Sequence, residues 1–275
     1  MSQAQAPSLE RRVFIVTSAK GGVGKTTVSA ALASLLAAHE HRVLAIDLDL
    51  SNRCLDLLCG IQDLALYHIR DVAQGTPLSR AVVADPVQQN LFYLTAPMGG
   101  YTDRLPKDAL CALLHTICSD TAYDRIVIDT PGAFDDVLLC AAAVADEAIV
   151  VSTAQQTALR SAQVTGFELA KQGLAKRSLL INCYPKAKPD LQSTAELIQY
   201  IDETALQLLG IVPFEKKLGT LQNRGLLVTD DIYRKTHFRR AMERVTARLE
   251  GEHVPIGAKY RFPTPSDAIY DHREE

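Results

Sequence analysis

The chain has little of several features that would indicate a function directly. It has no tryptophan and only 6% aromatic residues, which argues against an aromatic platform for stacking bases. No apolar run approaches the ~18–20 residues that a membrane-spanning helix requires. The six cysteines include no CxxC or CxC pair, so we expect reduced thiols in a cytoplasmic protein. The net charge of −3 is too balanced to indicate nucleic-acid binding through bulk charge.

What the sequence does contain is an alternation of short apolar runs and helical patterns. The runs are rich in β-branched residues and suit parallel strands that are covered on both faces. Residues 25–39 and 107–118 place apolar side chains at helical spacing. The alternation predicts an α/β fold with a mostly parallel twisted sheet of about seven or eight strands and helices on both faces. The predicted strands are Val13–Thr17, Val43–Asp47, Leu91–Thr95, Ile126–Asp129, Ala148–Val151, Leu179–Asn182 and Gly210–Val212.

Most of the chain is expected to form a single domain, because the sequence has no internal repeat and no Gly/Ser linker. We place this domain at residues 12–250. Residues 1–11 are a polar extension without the apolar core of a secretory signal. Residues 251–275 carry three prolines and no periodicity, which predicts an extended C-terminal tail.

The first predicted strand leads directly into a glycine-rich turn and the start of a predicted helix. Residues 13–27 read VFIVTSAKGGVGKTT, which is the context that a phosphate-binding loop needs. Glycines let successive backbone N–H groups point into one concavity, and the positive end of the following helix adds to that field. Lys25 would then reach the β- and γ-phosphates, and the Thr26 hydroxyl would ligate Mg²⁺. The predicted nucleotide contacts are Lys20, Gly21, Gly22, Val23, Gly24, Lys25, Thr26 and Thr27.

The loop departs from the general pattern, because Ala19 stands at its first glycine position and Lys20 precedes two glycines. It resembles the deviant Walker A loop of the MinD/ParA family of P-loop ATPases, and the similarity covers roughly residues 12–250. The resemblance implies a single-domain P-loop NTPase that binds ATP and Mg²⁺. It also implies that Lys20 reaches across an ATP-dependent homodimer to the partner's phosphates. On the residues alone, Lys20 could instead be an ordinary surface charge.

The segment after the second predicted strand resembles the switch I region of this family. Residues 45–58 read AIDLDLSNRCLDLL. The resemblance implies that Asp47 orients the attacking water and that Asp49 shapes the same loop. Carboxylates at the end of a parallel strand lie where ligands of such sheets bind. On spacing alone, the two acids could also be solvated residues of a βα turn.

A third segment, residues 126–133, reads IVIDTPGA and has the layout of a Walker B strand followed by switch II. There Asp129 would hold Mg²⁺ through water, and the Gly132 amide would lie near the γ-phosphate. Taken by itself, Asp-Thr-Pro-Gly is only a weak turn signal. The segment is interpreted as Walker B and switch II because the chain also contains a phosphate loop.

Later strands resemble the part of the family that contacts the base. Residues 180–183 read LINC and match the strand whose asparagine reads the adenine edge, so Asn182 is the candidate in this chain. Residues 210–214 read GIVPF and place Pro213 and Phe214 beside the adenine. Without the resemblance, a buried strand asparagine would more often satisfy neighbouring backbone.

Four residues depart from the family pattern. Cys54 stands where asparagine is common after switch I, and Cys183 stands where arginine usually follows the strand asparagine. Gln155-Gln156 replaces a Pro-Glu pair whose glutamate contributes to contacts across the dimer. The remaining cysteines, which include Cys111 and Cys118 on one helix face, are expected to pack in the core.

As a whole, the resemblance implies a MinD-like ATPase that dimerises on MgATP and hydrolyses it as a spatial switch in division-septum placement. It further implies an activating regulatory protein and a cytoplasmic location that includes the inner face of the cell membrane. The alternative is a ParA-like ATPase that positions DNA or another cargo. A metal-cluster assembly ATPase is a third interpretation, but the sequence lacks the close cysteine pairs of such proteins.

The target of the dimer is left open between a membrane surface and DNA. Residues 265–275 have no apolar stripe and end in two acids, so no C-terminal amphipathic anchor is recognisable. Residues 233–249 carry six Lys/Arg residues against Glu243 alone. This basic face could meet lipid headgroups or DNA phosphates, although a solvated face is the favoured interpretation.

Overall fold

The short apolar runs form the strands of one sheet in the computed structural model, which describes residues 10–50, 52–97, 105–185 and 191–256. The strands are β1 (Arg12–Thr17), β2 (Val43–Asp47), β3 (Val83–Ala84), β4 (Leu91–Leu94), β5 (Arg125–Asp129), β6 (Glu147–Ser152), β7 (Lys176–Tyr184) and β8 (Gln207–Pro213). Their order is β3-β4-β2-β5-β1-β6-β7-β8. Only β3 and β4 pair antiparallel among these neighbours. The predicted mostly parallel sheet is therefore confirmed.

Helices cover both faces of this sheet. They are α1 (Lys25–Ala38), α2 (Leu55–Cys59), α3 (Ile69–Ala73), α4 (Leu78–Ala81), α5 (Lys107–Cys118), α6 (Asp136–Val144), α7 (Gln156–Lys171), α8 (Leu191–Thr204), α9 (Leu218–Gln222) and α10 (His237–Leu249). Within the described residues, no helix combines the length and apolarity needed to cross a bilayer. Most of the predicted N-terminal extension, residues 1–9, and the tail from residue 257 onwards lie outside the described residues.

Alternation along each strand divides the core into two layers. In β1, Phe14 and Val16 face the layer that contains α1 and α10. Val13 and Ile15 face the layer that contains α5, α6, α7 and α8. Each fully buried side chain of this size contributes roughly 1.5–3 kcal/mol of transfer free energy. The central strands are thus held from both sides, and only their ends meet solvent.

At the N-terminal edge of the strands, partly buried ion pairs connect the C-terminal end of α10 to β5 and β1 to β6. Arg125 donates to Glu250 from Nη2 at 2.6 Å and from Nε at 3.0 Å. Burial alone would raise the pKa of Glu250, but the hydrogen bonds and the charge of Arg125 outweigh burial and lower it. Arg12 of β1 pairs with Glu147 of β6 at 3.0 Å. Removing one partner of such a pair leaves an uncompensated buried charge, which destabilises the fold.

The expectation that all six cysteines are reduced thiols is wrong for two of them. Cys111 of α5 and Cys140 of α6 form a disulfide, with their Cα atoms 4.7 Å apart. The two residues are 29 positions apart in sequence, and they meet because α5 packs alongside α6. Spacing along the chain gave no sign of this pairing. Cys59 and Cys118 are buried free thiols, as the sequence predicted.

Candidate functional site

The site is built where three central strands end. Strands β1, β2 and β5 are parallel neighbours, and the register sets Asp47 opposite Asp129 and Val16 opposite Asp129. The segments that follow these strands therefore emerge at one edge of the sheet. This is the position at which ligands bind in open α/β sheets.

The glycine-rich loop lies between β1 and α1. Gly22 and Gly24 have φ values of 75° and 92°, a left-handed conformation that glycine adopts without strain. Gly24 is the N-cap residue of α1, so the loop leads straight into the positive end of that helix. A Cβ atom on Gly24 would lie 2.3 Å from Nδ2 of Asn182. Glycine is therefore required at this position for both backbone and packing reasons.

Asn182 packs against the glycine-rich loop and hydrogen-bonds to its backbone. It is 4% exposed, and its Nδ2 donates to the Val23 carbonyl at 2.8 Å. The amide nitrogen thus satisfies loop backbone, which is the role that residue chemistry alone favoured. Pro213 and Phe214 lie at the end of the next strand, where the Phe214 amide donates to the Tyr184 carbonyl at 2.8 Å. Phe214 is 55% exposed, so it presents an open ring at the same edge of the sheet.

Replacing Gly24 by alanine should destabilise the protein by about 1–3 kcal/mol, because the left-handed conformation and the contact with Asn182 both oppose a Cβ atom. Thermal unfolding without nucleotide measures this loss. Gly21→Ala is the matched control, since Gly21 has open space around its Cβ position. Adding Asn182→Ala to Gly24→Ala should recover part of the loss. Equal stabilities of Gly24→Ala and Gly21→Ala would contradict the packing argument.

Asp129 lies at the centre of a hydroxyl network with the first turns of α1. Its Oδ2 accepts from the Thr26 hydroxyl at 2.7 Å and its Oδ1 from the Ser29 hydroxyl at 2.8 Å. Burial raises the pKa of Asp129 to about 6, although the hydroxyl hydrogen bonds and Lys25 lower it. A hydroxyl and a carboxylate held together are hard oxygen ligands of the kind that Mg²⁺ prefers. Ser29 was not predicted, although it lies three residues after Thr26 on the same helix face.

Lys25 is 8% exposed and points across the loop toward the segment after β5. A Cβ atom on Gly132 would lie 3.2 Å from Lys25 Nζ, so Gly132 allows the ammonium and the switch II backbone to approach closely. Burial lowers the pKa of Lys25, and the charges of Asp129 and Asp49 oppose that shift. A buried ammonium beside glycine amides fits a polyphosphate.

Asp47 holds the segment between β2 and α2. Its Oδ1 accepts from the Asp49 amide at 2.9 Å, and its Oδ2 accepts from the amides of Cys54 and Leu55 at 3.3 and 3.2 Å. Burial raises its pKa to about 7, with a further contribution from Asp129, whereas the amide hydrogen bonds lower it. Asp47 is 1% exposed, and Asp49 is half-buried. The geometry therefore gives Asp47 direct control over the shape of this loop.

Lys20 lies at the rim of the site and is half-buried. Its Nζ donates to Gln155 Oε1 at 3.1 Å and to Thr157 Oγ1 at 3.0 Å. Both acceptors belong to the beginning of α7, more than a hundred residues away in sequence. The sequence identified Lys20 and marked Gln155 as a departure, but it did not predict their contact. A further contact missed by the sequence is the hydrogen bond from Gln222 Nε2 to Thr27 Oγ1 at 2.9 Å.

Comparisons with known proteins identify a family and several similar proteins. The family described as the CobQ/CobB/MinD/ParA nucleotide binding domain matches residues 14–228. The septum site-determining protein MinD of Helicobacter pylori is 33% identical over 251 residues, which cover 88% of this chain and 91% of the relative. MinD in the MinC:MinD cell division complex of Aquifex aeolicus has a TM-score of 0.78 and 26% identity, covering 90% of this chain and all of that one.

A third similar structure is the septum site-determining protein MinD of Pyrococcus horikoshii, solved in complex with Mg-ADP. It has a TM-score of 0.75 at 24% identity, and the match covers 87% of this chain and 96% of that one. At this identity the likeness concerns the fold. It shows that the two proteins share the arrangement of sheet and helices described above.

Proposed function

Since the chain belongs to the MinD/ParA family of nucleotide-binding P-loop ATPases, we propose that it works as a nucleotide-dependent dimerisation switch. It is a MinD-like ATPase that acts in the placement of the division septum. One observation carries the proposed mechanism: the glycine loop, Lys25 and the Thr26–Asp129 pair all meet at one edge of the sheet. A polyphosphate with a divalent cation matches this set of groups.

The ligands are ATP and Mg²⁺. The loop amides from Gly21 to Gly24 and the Lys25 ammonium would receive the phosphates. Thr26 and Asp129 would hold Mg²⁺, with Asp129 acting through water. When bound, the ion would neutralise part of the phosphate charge. Asn182, Pro213 and Phe214 would surround the adenine.

For hydrolysis, we assign the positioning of the attacking water to Asp47, together with the segment that it holds. The three amide contacts of Asp47 support this assignment, because they fix the loop that follows β2. Asp49 belongs to the same loop, and its charge acts on Lys25. The Gly132 amide would lie near the γ-phosphate, since a Cβ atom on Gly132 would lie 3.2 Å from Lys25 Nζ.

Lys20 would complete the site of a second copy of the chain. Lys25 already contacts the phosphates of its own protomer. Because Mg²⁺ and Lys25 largely neutralise the charge of these phosphates, a second lysine from the same protomer would stabilise them little further. Two-fold symmetry provides two such contacts from one interface. The Aquifex relative is described in complex with MinC, and we propose that this chain also works with a regulatory protein.

Replacing Lys20 by alanine should leave the ATP dissociation constant within about twofold but abolish ATP-dependent dimerisation, because the cross-protomer contact of ammonium with phosphate is lost. Light scattering coupled to gel filtration with MgATP, in a hydrolysis-deficient background, measures the dimer. Lys171→Ala is the control, since Lys171 is an exposed lysine that pairs with Glu168. A Lys20→Ala variant that dimerises like its parent would show that the cross-protomer role is wrong.

The surface that the dimer binds is a separate proposal. Within the basic segment of residues 233–249, Arg239 pairs with Glu243 at 2.9 Å and Arg248 donates to two backbone carbonyls. Exposed cations at Arg234, Lys235 and Arg240 still offer a face for phosphate groups. We propose that this face binds an anionic membrane on the cytoplasmic side, with ParA-like DNA binding as the alternative. Co-sedimentation with anionic vesicles and with DNA, each with and without ATP, separates the two.

A further inference from the structure

Lys20 has a fixed backbone and a side chain that two groups of the same protomer hold. The Ser18 hydroxyl accepts from the Lys20 amide at 3.1 Å and donates to the Lys20 carbonyl at 3.2 Å. Ser18 itself is 2% exposed. Within the described part of the chain, in contrast, the ammonium is held only by side chains at the rim, the amide of Gln155 and the hydroxyl of Thr157. Rotation of the Lys20 side chain alone would therefore move the charge without moving the loop.

The two acceptors suit temporary binding. Neither carries a charge, so the hydrogen bonds from Lys20 are not reinforced by an opposite charge on the acceptor. A phosphate oxygen is a stronger acceptor for the ammonium, because its negative charge adds Coulomb attraction that the Gln155 amide and the Thr157 hydroxyl lack. Gln155 and a partner's phosphate would compete for the same ammonium. Gln155 also makes no capping hydrogen bond to α7 with its side chain, so its amide is not needed to start the helix.

We propose that Gln155 and Thr157 form a resting seat for Lys20, which keeps the lysine on its own protomer until a second ATP-bound copy offers phosphate. This inference rests on the proposed cross-protomer role of Lys20. The seat sets the protein concentration at which ATP-bound protomers dimerise, because the dimer forms only from protomers whose Lys20 has left the seat. Gln155 and Thr157 are positioning residues that act through Lys20.

Substitutions at Gln155 should act in opposite directions. Gln155→Ala removes one acceptor. We expect the dissociation constant of the dimer to fall about 5- to 20-fold, since each dimer vacates two seats. Gln155→Glu supplies a carboxylate to Lys20 and should weaken dimerisation by a similar factor. A glutamate at the N-cap also suits the helix dipole, so the fold is retained. Gln172→Ala, at the other end of α7, is the matched control.

A second measurement tests the seat in the monomer, through the reactivity of the Lys20 amine. In the nucleotide-free monomer, acylation of the Lys20 amine, mapped by mass spectrometry, should be several-fold faster in Gln155→Ala and in Thr157→Val, and slower in Gln155→Glu. Unchanged Lys20 reactivity in all three variants would overturn the seat. Faster acylation combined with weaker dimerisation in Gln155→Ala would also overturn it, because Gln155 would then act across the interface.

The two levels of the proposal fail separately. A parent protein that stays monomeric with MgATP in the hydrolysis-deficient background would overturn the proposed dimerisation switch. A parent that dimerises, together with Gln155→Ala and Gln155→Glu variants that match it in dissociation constant, would overturn the seat alone. Opposite shifts of dimerisation in the two Gln155 variants, with matching shifts in Lys20 reactivity, would support it.

Discussion

Lys25→Ala is expected to lower the affinity for ATP at least about 30-fold. Lys25 is nearly buried, and Gly132 and the glycine loop surround its ammonium. Truncating one partner of a buried, hydrogen-bonded charge pair costs about 2–5 kcal/mol or more. The loss also leaves Asp129 without the positive charge of Lys25, which lowers its pKa. Isothermal titration calorimetry with MgATP measures the change.

Lys20→Ala provides the matched comparison for this result, since it removes a lysine from the same loop but should preserve ATP binding. Lys25→Arg should recover little, because a planar guanidinium does not replace a compact ammonium in a closed site. Thermal unfolding of each apo variant shows whether the fold is retained. Unchanged ATP affinity in Lys25→Ala would remove the basis for the phosphate-loop assignment.

Asp47→Ala should bind MgATP with nearly unchanged affinity but hydrolyse it at least about 100-fold more slowly. Its carboxylate accepts from three backbone amides, and the loss would release the loop after β2. A displacement of about 1 Å in a positioned group can cost about 100-fold in rate. Single-turnover hydrolysis separates this step from binding and product release, and the slow variant should accumulate as a dimer.

Asp47→Asn tests whether Asp47 acts through the loop. Asparagine keeps one carbonyl acceptor for the loop amides, so we expect a rate between those of the parent and Asp47→Ala. Asp49→Ala, which alters the same loop without removing these three hydrogen bonds, shows how much the neighbouring carboxylate contributes. Parent-like turnover in Asp47→Ala would indicate that a different group positions the water.

The sequence predicted features that depend on local pattern. The β1 strand, the glycine loop and the start of α1 at Lys25 agree with the structure, because a continuous apolar run and glycine chemistry are encoded in consecutive residues. Burial of Phe238, Met242 and other apolar residues of α10 follows from helical spacing in the same way. In contrast, β3 contains only two residues, too few to show a period.

Contacts between distant side chains could not be predicted from this pattern. The seat of Lys20 depends on where α7 begins relative to the glycine loop, and the Cys111–Cys140 disulfide depends on how α5 packs against α6. The hydrogen bond between Asn182 and the Val23 carbonyl likewise joins β7 to a loop far away in sequence. Each requires the assembled sheet, which sequence periodicity does not specify in detail.

The central place of β1 in the sheet has a consequence for synthesis on the ribosome. This strand is made first, but its neighbours β5 and β6 begin at Arg125 and Glu147. At about 5–20 residues per second, the strand that precedes the glycine loop waits roughly 6–20 s for its first neighbour. Both of its edges lack their native pairing during that time. Nucleotide can therefore stabilise the nascent chain only after β5, with Asp129 at its end, has been translated.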